Sequence, residues 1–373
     1  MKIRSLSVVV VVFVASAAAL AQTSVSVAYN YAPISYPHAR VTYVNGINNG
    51  NVIVGSYFDS KDFVHGFVYR AGKYTAVNYP GSTMTEVFGI NDGGDIVGMY
   101  QLPGTLNFHG FLRHGSSFAS IDDPSAQIGT IAYGINNSGT IVGSYDNTDG
   151  FVYENGKFRT LDAPQLAGES HETQLNGINN LGWIVGQIFT GGIWRGFWVH
   201  NGNIHFVEAA GSRDGEATGI NGHNDIVGCH DSQAGFVAYL AGNYGSAAKK
   251  YPPQQQIVSC ASAINYARAI VGSYSTSNDA SGFLAVPALT LQVETPAVNA
   301  LSTGSTHIVA SASGNNRISQ MQVWLNGKKI YYANGATLNA SLKLPAGTDE
   351  RFVIQAVDSK GVVAKVVKTI TVE

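Results

Sequence analysis

Two glutamates and two cysteines carry side chains of the types from which reactive sites are built. Glu86 and Glu216 stand at equivalent positions of two sequence repeats, near the start of a predicted strand. Paired carboxyl groups can act as general acid and base on a glycosidic bond if they lie within about 10 Å of each other. Cys229 and Cys260 are the two cysteines of the chain, and a disulfide between them would persist outside the cytoplasm. Two free buried thiols are the alternative.

Aromatic side chains form a second candidate set. They recur where the second strand of each repeat is predicted to end: Tyr57, Tyr100, Tyr145, His230 and Tyr274, with Ile188 in the fourth copy. An aromatic ring offers a sugar an apolar face and a polar tip, so such a set predicts a ligand-binding rim that also includes Glu86 and Glu216. The alternative is that these rings pack between neighbouring sheets.

Composition limits the classes of partner. The chain has 373 residues, Lys+Arg 22 against Asp+Glu 24, and 12% charged residues. This balance excludes a basic nucleic-acid module and an acidic disordered tail. Aspartates are predicted in the loops after the second strands, at Asp59, Asp62, Asp146, Asp149, Asp231 and Asp279. They lack the dense alternation of a calcium loop, and the histidines lack zinc-type spacing, so we predict no metal and no cofactor.

The N-terminus is typical of a signal peptide. Lys2 and Arg4 precede an apolar run, and Ala19-Leu20-Ala21 provides the small-x-small cleavage pattern, so residues 1–21 are predicted to be removed. A membrane anchor is the alternative, but the run is shorter than the roughly 20 residues that span a bilayer. We therefore expect a protein without a membrane span that is secreted or extracellular, the periplasm and the cell surface being possible destinations.

One nine-residue phrase occurs six times. The copies begin 42 to 45 residues apart: Ile47–Gly55, Ile90–Gly98, Ile135–Gly143, Ile178–Gly186, Ile220–Gly228 and Ile264–Gly272. A Gly-Phe pair follows each copy, and a short run ending in proline closes most units. Every unit thus holds four short apolar runs, which we name strands a, b, c and d.

Tight turns are predicted between these strands. The a-to-b turn needs one residue at positive φ, and the fifth place of the phrase holds Asn51, Gly94, Gly139, Gly182, Asn224 and Arg268. Arg268 is the exception, because arginine rarely adopts that conformation. Glycines just past strand c serve the c-to-d turn, so each unit is predicted to be an antiparallel meander.

A four-stranded meander cannot bury both faces alone, so the units must stack. Radial stacking gives a six-bladed β-propeller over residues 22–287, and a linear β-solenoid is the alternative. The sixth unit lacks strand d, while a spare d-like run, Ala32–Pro37, precedes the first unit, as ring closure requires. Residues 288–373 alternate without glycine-rich phrases and are predicted to form an Ig-like β-sandwich with Trp324 as its core aromatic. The fold class is therefore all-β.

The six phrases resemble the extracellular HAF-repeat family, whose copies pair a Gly-Ile-Asn-x-x-Gly-x-Val-Val-Gly turn with a following His-Ala-Phe. The second signature stands here as His65-Gly66-Phe67 and His109-Gly110-Phe111. In the other copies the histidine position holds Asp149, Arg195, Ala234 and Ser281. The resemblance spans roughly residues 41–283 and implies export and repeats, but no established activity and no catalytic residue. The C-terminal segment is similar to bacterial Ig-like domains.

These features predict an exported, non-catalytic binding or surface-associated module that recognises a glycan or an extracellular protein through the propeller rim. The alternative is an extracellular polysaccharide hydrolase or lyase with its site over the central channel. A third possibility is a structural component of a surface coat. The sequence favours binding over catalysis because it contains no nucleophile motif.

Overall fold

The computed structural model describes residues 24–161, 172–207, 214–231, 237–241, 258–275, 279–296, 300–302, 305–345 and 347–372. The predicted signal peptide lies outside these residues, as do Gly235-Phe236 and Gly242 of the fifth repeat. The chain divides into two compact units, the repeat unit Tyr29–Pro287 and the C-terminal unit built around Ala288–Glu373. All elements in the described part of the chain are strands, so the protein is all-β.

The strands that precede Ala280 follow the repeats. In chain order they are β1 (Ser24–Ile34), β2 (Val41–Ile47), β3 (Ile53–Phe58), β4 (Val64–Arg70), β5 (Lys73–Val77), β6 (Met84–Ile90), β7 (Ile96–Gln101), β8 (Phe108–His114), β9 (Ser117–Ile121), β10 (Thr130–Ile135), β11 (Ile141–Tyr145), β12 (Asp149–Glu154), β13 (Lys157–Thr160), β14 (Glu172–Ile178), β15 (Ile184–Thr190), β16 (Ile193–His200), β17 (Asn203–Phe206), β18 (Gly215–Ile220), β19 (Ile226–His230), β20 (Val237–Ala241), β21 (Val258–Ile264) and β22 (Ile270–Ser275).

The remaining strands are β23 (Ala280–Thr295), β24 (Ala300–Ser302), β25 (Thr306–Gly314), β26 (Ile318–Leu325), β27 (Lys328–Asn334), β28 (Thr337–Leu342), β29 (Gly347–Asp358) and β30 (Val363–Val372). Repeats 1 to 4 each form an antiparallel meander of four strands, from β2–β5 to β14–β17. The described part of repeat 5 contributes β18–β20. In repeat 6, β21 and β22 pair with the first part of β23.

The N-terminal strand completes the sixth sheet. β1 pairs with β23. A Cβ atom added at Gly282 of β23 would lie 2.9 Å from the Ile34 carbonyl oxygen, just as one added at Gly66 would lie 2.9 Å from that of Val77 in strand d of repeat 1. Tyr31 of β1 also contacts Phe283. The strand missing from the end of the repeats is therefore supplied from their beginning.

We call strand a of each repeat its inner strand, and every inner strand has a β-bulge at the same place. In β2 the register shifts between Val44 and Gly46. The same shift occurs at the equivalent residues of β6, β10, β14, β18 and β21. The glycine after the bulge lets neighbouring inner strands approach, because a Cβ at Gly46 would lie 2.7 Å from the Phe88 carbonyl oxygen of the next repeat. The bulge bends strand a and turns one extra side chain inward.

The asparagine of each Ile-Asn pair joins its repeat to the next. Each donates from Nδ2 to the main-chain oxygen of its equivalent: Asn48 to Asn91 (3.0 Å), Asn91 to Asn136 (3.2 Å), Asn136 to Asn179 (3.4 Å), Asn179 to Asn221 (2.9 Å), Asn221 to Asn265 (3.1 Å) and Asn265 to Asn48 (3.1 Å). The series returns to its first member, so the hydrogen bonds are cyclic.

The apolar cores lie between successive sheets. One core joins Val54 of repeat 1 to Val87 and Phe111 of repeat 2. Another joins Phe67 of repeat 1 to Val271 of repeat 6, so the last sheet packs on the first. The phenylalanine of the Gly-Phe pair fills these cores and is fully buried in four repeats, as Phe67, Phe111, Phe151 and Phe197. Each buried aromatic side chain is a large part of the contact between two sheets.

The C-terminal unit has two sheets around one core. The order is β24-β30-β29-β26-β27 in one sheet, and the second part of β23 pairs with β25, which pairs with β28. Trp324 is not the core aromatic that the sequence predicted. It lies half-buried on the opposite face of β26, where its ring meets Lys329. Phe352 of β29 is the fully buried aromatic instead.

Candidate functional site

Several polar side chains of the repeat unit lie at equivalent positions near the start of the inner strands. Glu86, Gln174 and Glu216 occupy one such position in repeats 2, 4 and 5. Their partners on strand b are Met99, Gln187 and Cys229. The asparagine bonds join the inner strands of successive repeats in a cycle, so these positions recur from one repeat to the next. We call Glu86, Tyr133, Gln174, Gln187 and Glu216 the carboxyl site.

Glu86 is a half-buried carboxyl group with no hydrogen bond or ion pair to another residue in the described ranges. Burial raises the pKa of Glu86 above its ordinary value, because water is the best solvent for the charged form. The glycine of the Ile-Val-Gly phrase makes room for the strand at this point, since a Cβ at Gly98 would lie 2.0 Å from the Glu86 carbonyl oxygen.

Tyr133 lies close enough to both glutamates to respond to their charges. It is the bulge residue of β10 and lines a cavity of ≈ 90 Å³ to which the inner strands of all six repeats contribute residues. Burial, with added repulsion from the charges of Glu86 and Glu216, raises the pKa of Tyr133 to about 12. The charges of both carboxyl groups therefore act on one neutral hydroxyl, that of Tyr133.

Glu216 borders the disulfide. Burial, together with the charge of Asp214, raises the pKa of Glu216 above its ordinary value. Its Oε2 atom lies 3.8 Å from the Cys229 sulfur. Cys229 is bonded to Cys260 at the start of β21, so the disulfide joins repeats 5 and 6. These three residues are the cluster of metal-ligand types in the described part of the chain, and two of them are held as a disulfide.

Two amides complete the carboxyl site. Gln187 donates from Nε2 to the Gln174 Oε1 atom at 2.9 Å. The Oε1 atom of Gln187 is buried and accepts no hydrogen bond from any described residue. Buried acceptors without a donor are uncommon in proteins, and a bound molecule is one way in which they are satisfied.

The aromatic set predicted for the rim lies mostly inside the packing between sheets. Tyr57 stacks on Tyr36 with ring centres 3.6 Å apart, and Tyr100 stacks on Tyr79 at 3.5 Å. Tyr100 is only 4% exposed, and its hydroxyl bonds to Ser120. The ring faces are therefore already covered by the connection that precedes each inner strand, which is the packing alternative stated above.

The other members of the set are held in similar ways. The Tyr145 hydroxyl lies 3.3 Å from Thr160 of the same sheet. His230 is buried, with Nδ1 2.6 Å from the Asp231 carbonyl oxygen. Tyr274 packs against the core between repeats 5 and 6, and Ile188 is buried in the fourth repeat. Of the predicted candidates, Cys229 and Cys260 are joined as a disulfide, and the charges of Glu86 and Glu216 both act on Tyr133.

The loop aspartates bind main-chain donors of their own protein. Asp146 accepts hydrogen bonds from the backbone N–H groups of Gln127, Ile128 and Gly129 at 2.6 to 3.1 Å. Asp59 accepts from the N–H groups of Lys61 and Phe63. Such bonds favour the charged carboxylate and order the loop, so these residues serve as turn supports.

Sequence reasoning missed both Tyr133 and the hydrogen-bonding role of the Ile-Asn asparagines. Each asparagine oxygen also accepts from its own turn, as Asn48 does from Gly50 and Val52. The signal was present, since Ile-Asn is invariant among the six phrases while the residues after it vary. Tyr133 has no such signal, because no one residue type is common to the six bulge positions: they hold Asn45, Phe88, Tyr133, Asn176, Thr218 and Ser262.

The carboxyl site offers two protonatable carboxyl groups, a neutral phenol and two amides. These groups can both donate and accept hydrogen bonds, which suits a neutral ligand rich in hydroxyl groups. The same carboxyl groups, with raised pKa values, have the properties required of a general acid.

The chain matches no known family model and no curated protein. Two solved structures from B. thetaiotaomicron are similar to it, each an extracellular domain. The first belongs to BT3049, described as a hybrid two component system, with a TM-score of 0.36 and 13% identity over 85% of this chain and 49% of that one. The second belongs to BT4673, described as a one component system, with a TM-score of 0.36 and 9% identity over 91% and 51%.

The chain thus spans about half the length of these two structures. Within the described residues, no helix has the length and apolar character needed to cross a membrane.

Proposed function

We propose that the protein is an exported, non-catalytic binding module in which the six sheets form a closed six-bladed β-propeller and the carboxyl site binds a glycan. The cyclic asparagine bonds, the core shared by repeats 1 and 6 and the pairing of β1 with β23 support closure. The resemblance to HAF-repeat proteins supports export. The proposal also includes an Ig-like fold for the C-terminal unit, for which the two sheets around one core are the support.

The unpartnered carboxyl group of Glu86 is the observation that carries the proposed site. A half-buried carboxyl group without a hydrogen-bond partner lowers the free energy of unfolding. Proteins keep such destabilising residues at sites where they serve binding. A sugar hydroxyl would give Glu86 the hydrogen bond that the described chain does not supply. Other hydroxyl groups of the same ligand would form hydrogen bonds with Tyr133, Gln174 and Gln187.

The substitution Glu86→Gln tests this proposal. Gln keeps the shape of the side chain but changes its acceptor and donor pattern. We expect glycans retained by the mature protein on a glycan array to bind at least tenfold more weakly to this variant, a loss of about 1.4 kcal/mol. Glu154→Gln, at the exposed end of β12 in repeat 3, is the matched control and should bind as the parent does. Equal binding by all three proteins would remove the carboxyl site from consideration.

A polysaccharide hydrolase or lyase is the second candidate, and the raised pKa values of Glu86 and Glu216 are the observation in its favour. A protonated carboxyl group on one side and an ionised one on the other could divide acid and base roles. Release of reducing sugar from the retained glycan distinguishes the candidates. The binding proposal predicts no release by the parent protein, whereas the enzyme predicts release that Glu86→Gln abolishes.

A further inference from the structure

The outer face of the five-stranded sheet in the C-terminal unit carries cations, aromatic rings and amides. Residues of four neighbouring strands stand in register across it, in two rows. One row is Tyr332, Gln322, Gln355 and Lys365, and the next is Lys329, Trp324, Val353 and Val367. Arg351 and Thr369 follow on β29 and β30. We call this set the cationic face, and none of its positions holds Asp or Glu.

The centre of the cationic face is organised by its own contacts. The Lys329 Nζ atom lies 5.8 Å from the ring centre of Trp324 and 5.9 Å from that of Tyr332. The Trp324 Nε1 atom donates to Gln322 Oε1 at 3.1 Å, and Gln355 Nε2 donates to the same oxygen at 2.7 Å. The aromatic rings and amides are therefore fixed in position before any ligand arrives, which lowers the entropic cost of binding.

The face is open and partly apolar. Tyr332 is 56% exposed and Val367 is 47% exposed, which is unusual for side chains of this size on a regular sheet. The positions of Lys329, Arg351 and Lys365 are exposed as well. Strands about 4.8 Å apart place the four positions of a row across roughly 14 Å, a length that covers several sugar units.

The chemistry of the face indicates one kind of occupant. The exposed ring of Tyr332, the half-buried ring of Trp324 and the exposed side chain of Val367 suit the flat faces of sugar rings, and amides suit their hydroxyl groups. Three cations without any carboxylate complement a negative charge on the ligand. Nucleic acid is less suited, because its binding depends on a dense set of Lys and Arg against closely spaced phosphates, whereas here apolar side chains separate the cations.

We propose that the cationic face binds an acidic polysaccharide, with uronate carboxylates at Lys329, Lys365 and Arg351 and sugar rings over Tyr332 and Trp324. This site is separate from the carboxyl site, and neither proposal depends on the other. An acidic chain fits the charge of this face, whereas the carboxyl site suits a neutral sugar.

Binding of the full mature chain to polygalacturonate tests the inference, with dextran as the uncharged polymer and poly(dT) as the nucleic acid. We expect saturable binding to polygalacturonate, much weaker binding to dextran, and loss of affinity as salt is raised. Lys365→Gln and Tyr332→Ala should each weaken it by about tenfold. Both side chains are exposed, so both variants should fold. Lys343→Gln, an exposed lysine that follows β28 in the other sheet, is the matched control.

Several outcomes would overturn the inference. They are no binding to polygalacturonate, equal binding to dextran, tighter binding to poly(dT), or an equal loss in Lys343→Gln and Lys365→Gln. Glu86→Gln should leave polygalacturonate binding unchanged. A loss in that variant would place the acidic glycan at the carboxyl site instead and would contradict the assignment to the cationic face.

Discussion

At the scale of single residues, the molecule retains charges that weaken its folding. Glu86 and Glu216 are half-buried acids with raised pKa values, and Lys368 is a buried base with a lowered one. In each case the neutral form is the one that burial favours. Their effects on stability therefore have opposite dependences on pH.

Glu86→Gln should stabilise the repeat unit at neutral pH, on the order of 1 kcal/mol, while it weakens ligand binding. A carboxyl group whose pKa is raised on folding binds more protons in the folded state, so its contribution to stability falls as pH rises through its folded pKa. The parent should lose more stability than the variant between pH 4.5 and 8. Urea unfolding at both pH values measures this. If the two proteins lose stability equally, Glu86 carries no uncompensated charge.

Lys368 faces the core of the C-terminal unit, where its ammonium group donates to the Pro296 carbonyl oxygen. Burial lowers the pKa of Lys368 to about 8 from its ordinary 10.5. Between these values the unfolded chain binds more protons, so this residue makes stability rise with pH.

Lys368→Met should therefore raise the stability of the C-terminal unit at pH 7 by on the order of 1 to 3 kcal/mol. The gain should shrink as the pH approaches 10. Hydrogen exchange of β26 and β29 peptides in the full chain reports on this unit alone. Faster exchange in the variant at pH 7 would show that the amine makes a favourable contact that the apolar side chain loses.

At the scale of elements, serine side chains on strand b of repeats 1 and 6 accept hydrogen bonds from the inner strand of the next repeat. The Ser56 Oγ atom accepts from the Val87 N–H group, and the Ser273 Oγ atom accepts from that of Val44. Cys229 occupies the same place on strand b of repeat 5. There the hydrogen bond is replaced by a covalent bond to Cys260.

The double substitution Cys229→Ser with Cys260→Ser should lower the free energy of unfolding by about 3 to 4 kcal/mol. The bond closes a segment with a sequence separation of 31 residues, and restriction of the unfolded chain gives a loss of about this size. Unfolding in guanidinium chloride measures the loss. Reduction of the parent should produce the same shift, and no shift in either case would mean that the cysteines are not bonded in solution.

Asn48→Ala should destabilise the repeat unit by about 2 to 4 kcal/mol, because it leaves the buried Val52 N–H group and the Asn91 carbonyl oxygen without partners. Asn49→Ala removes two exposed hydrogen bonds, one to Asp92 and one from the Tyr266 N–H group, and should cost less than about 1 kcal/mol. Thermal unfolding of the two variants compares them. Equal losses would contradict the structural role assigned to the buried asparagine.

Much of the local structure follows from sequence. The six phrases predict the a-to-b turns, and the residues at the fifth place do adopt positive φ. Even Arg268 does so at 62°, held by a bond from its Nε atom to Asp225 of the previous repeat at 2.6 Å. That compensation could not be predicted, because it depends on a partner 43 residues away.

The candidate site was less predictable. Glu86 and Glu216 were found because they are carboxyl groups at equivalent positions of two repeats. The position of Tyr133, by contrast, depends on the β-bulge that turns it inward. The tyrosines at the ends of the strands b also showed a pattern, yet Tyr36 and Tyr79 cover two of them. Trp324 was assigned to the core by its type, whereas the register of β26 places Val323 and Leu325 there.

At the scale of the whole repeat unit, the account depends on cyclic contact between the first and last repeats. Without it, Glu86 and Glu216 belong to distant repeats and could not share Tyr133. Repeats 1 and 6 meet through the Asn265 side chain, through the core around Phe67 and Val271, and through the Tyr266 N–H group, which donates to Asn49 Oδ1 at 2.7 Å.

A cross-link between residues 49 and 266 tests that contact most directly. In the protein carrying both Asn49→Cys and Tyr266→Cys, mild oxidation followed by alkylation and peptide mass spectrometry should show a new disulfide between the two positions, alongside that of Cys229 and Cys260. Either single variant should keep one free thiol. If both new thiols of the double variant remain fully alkylated after oxidation, the first and last repeats do not meet and the arrangement of the carboxyl site is wrong.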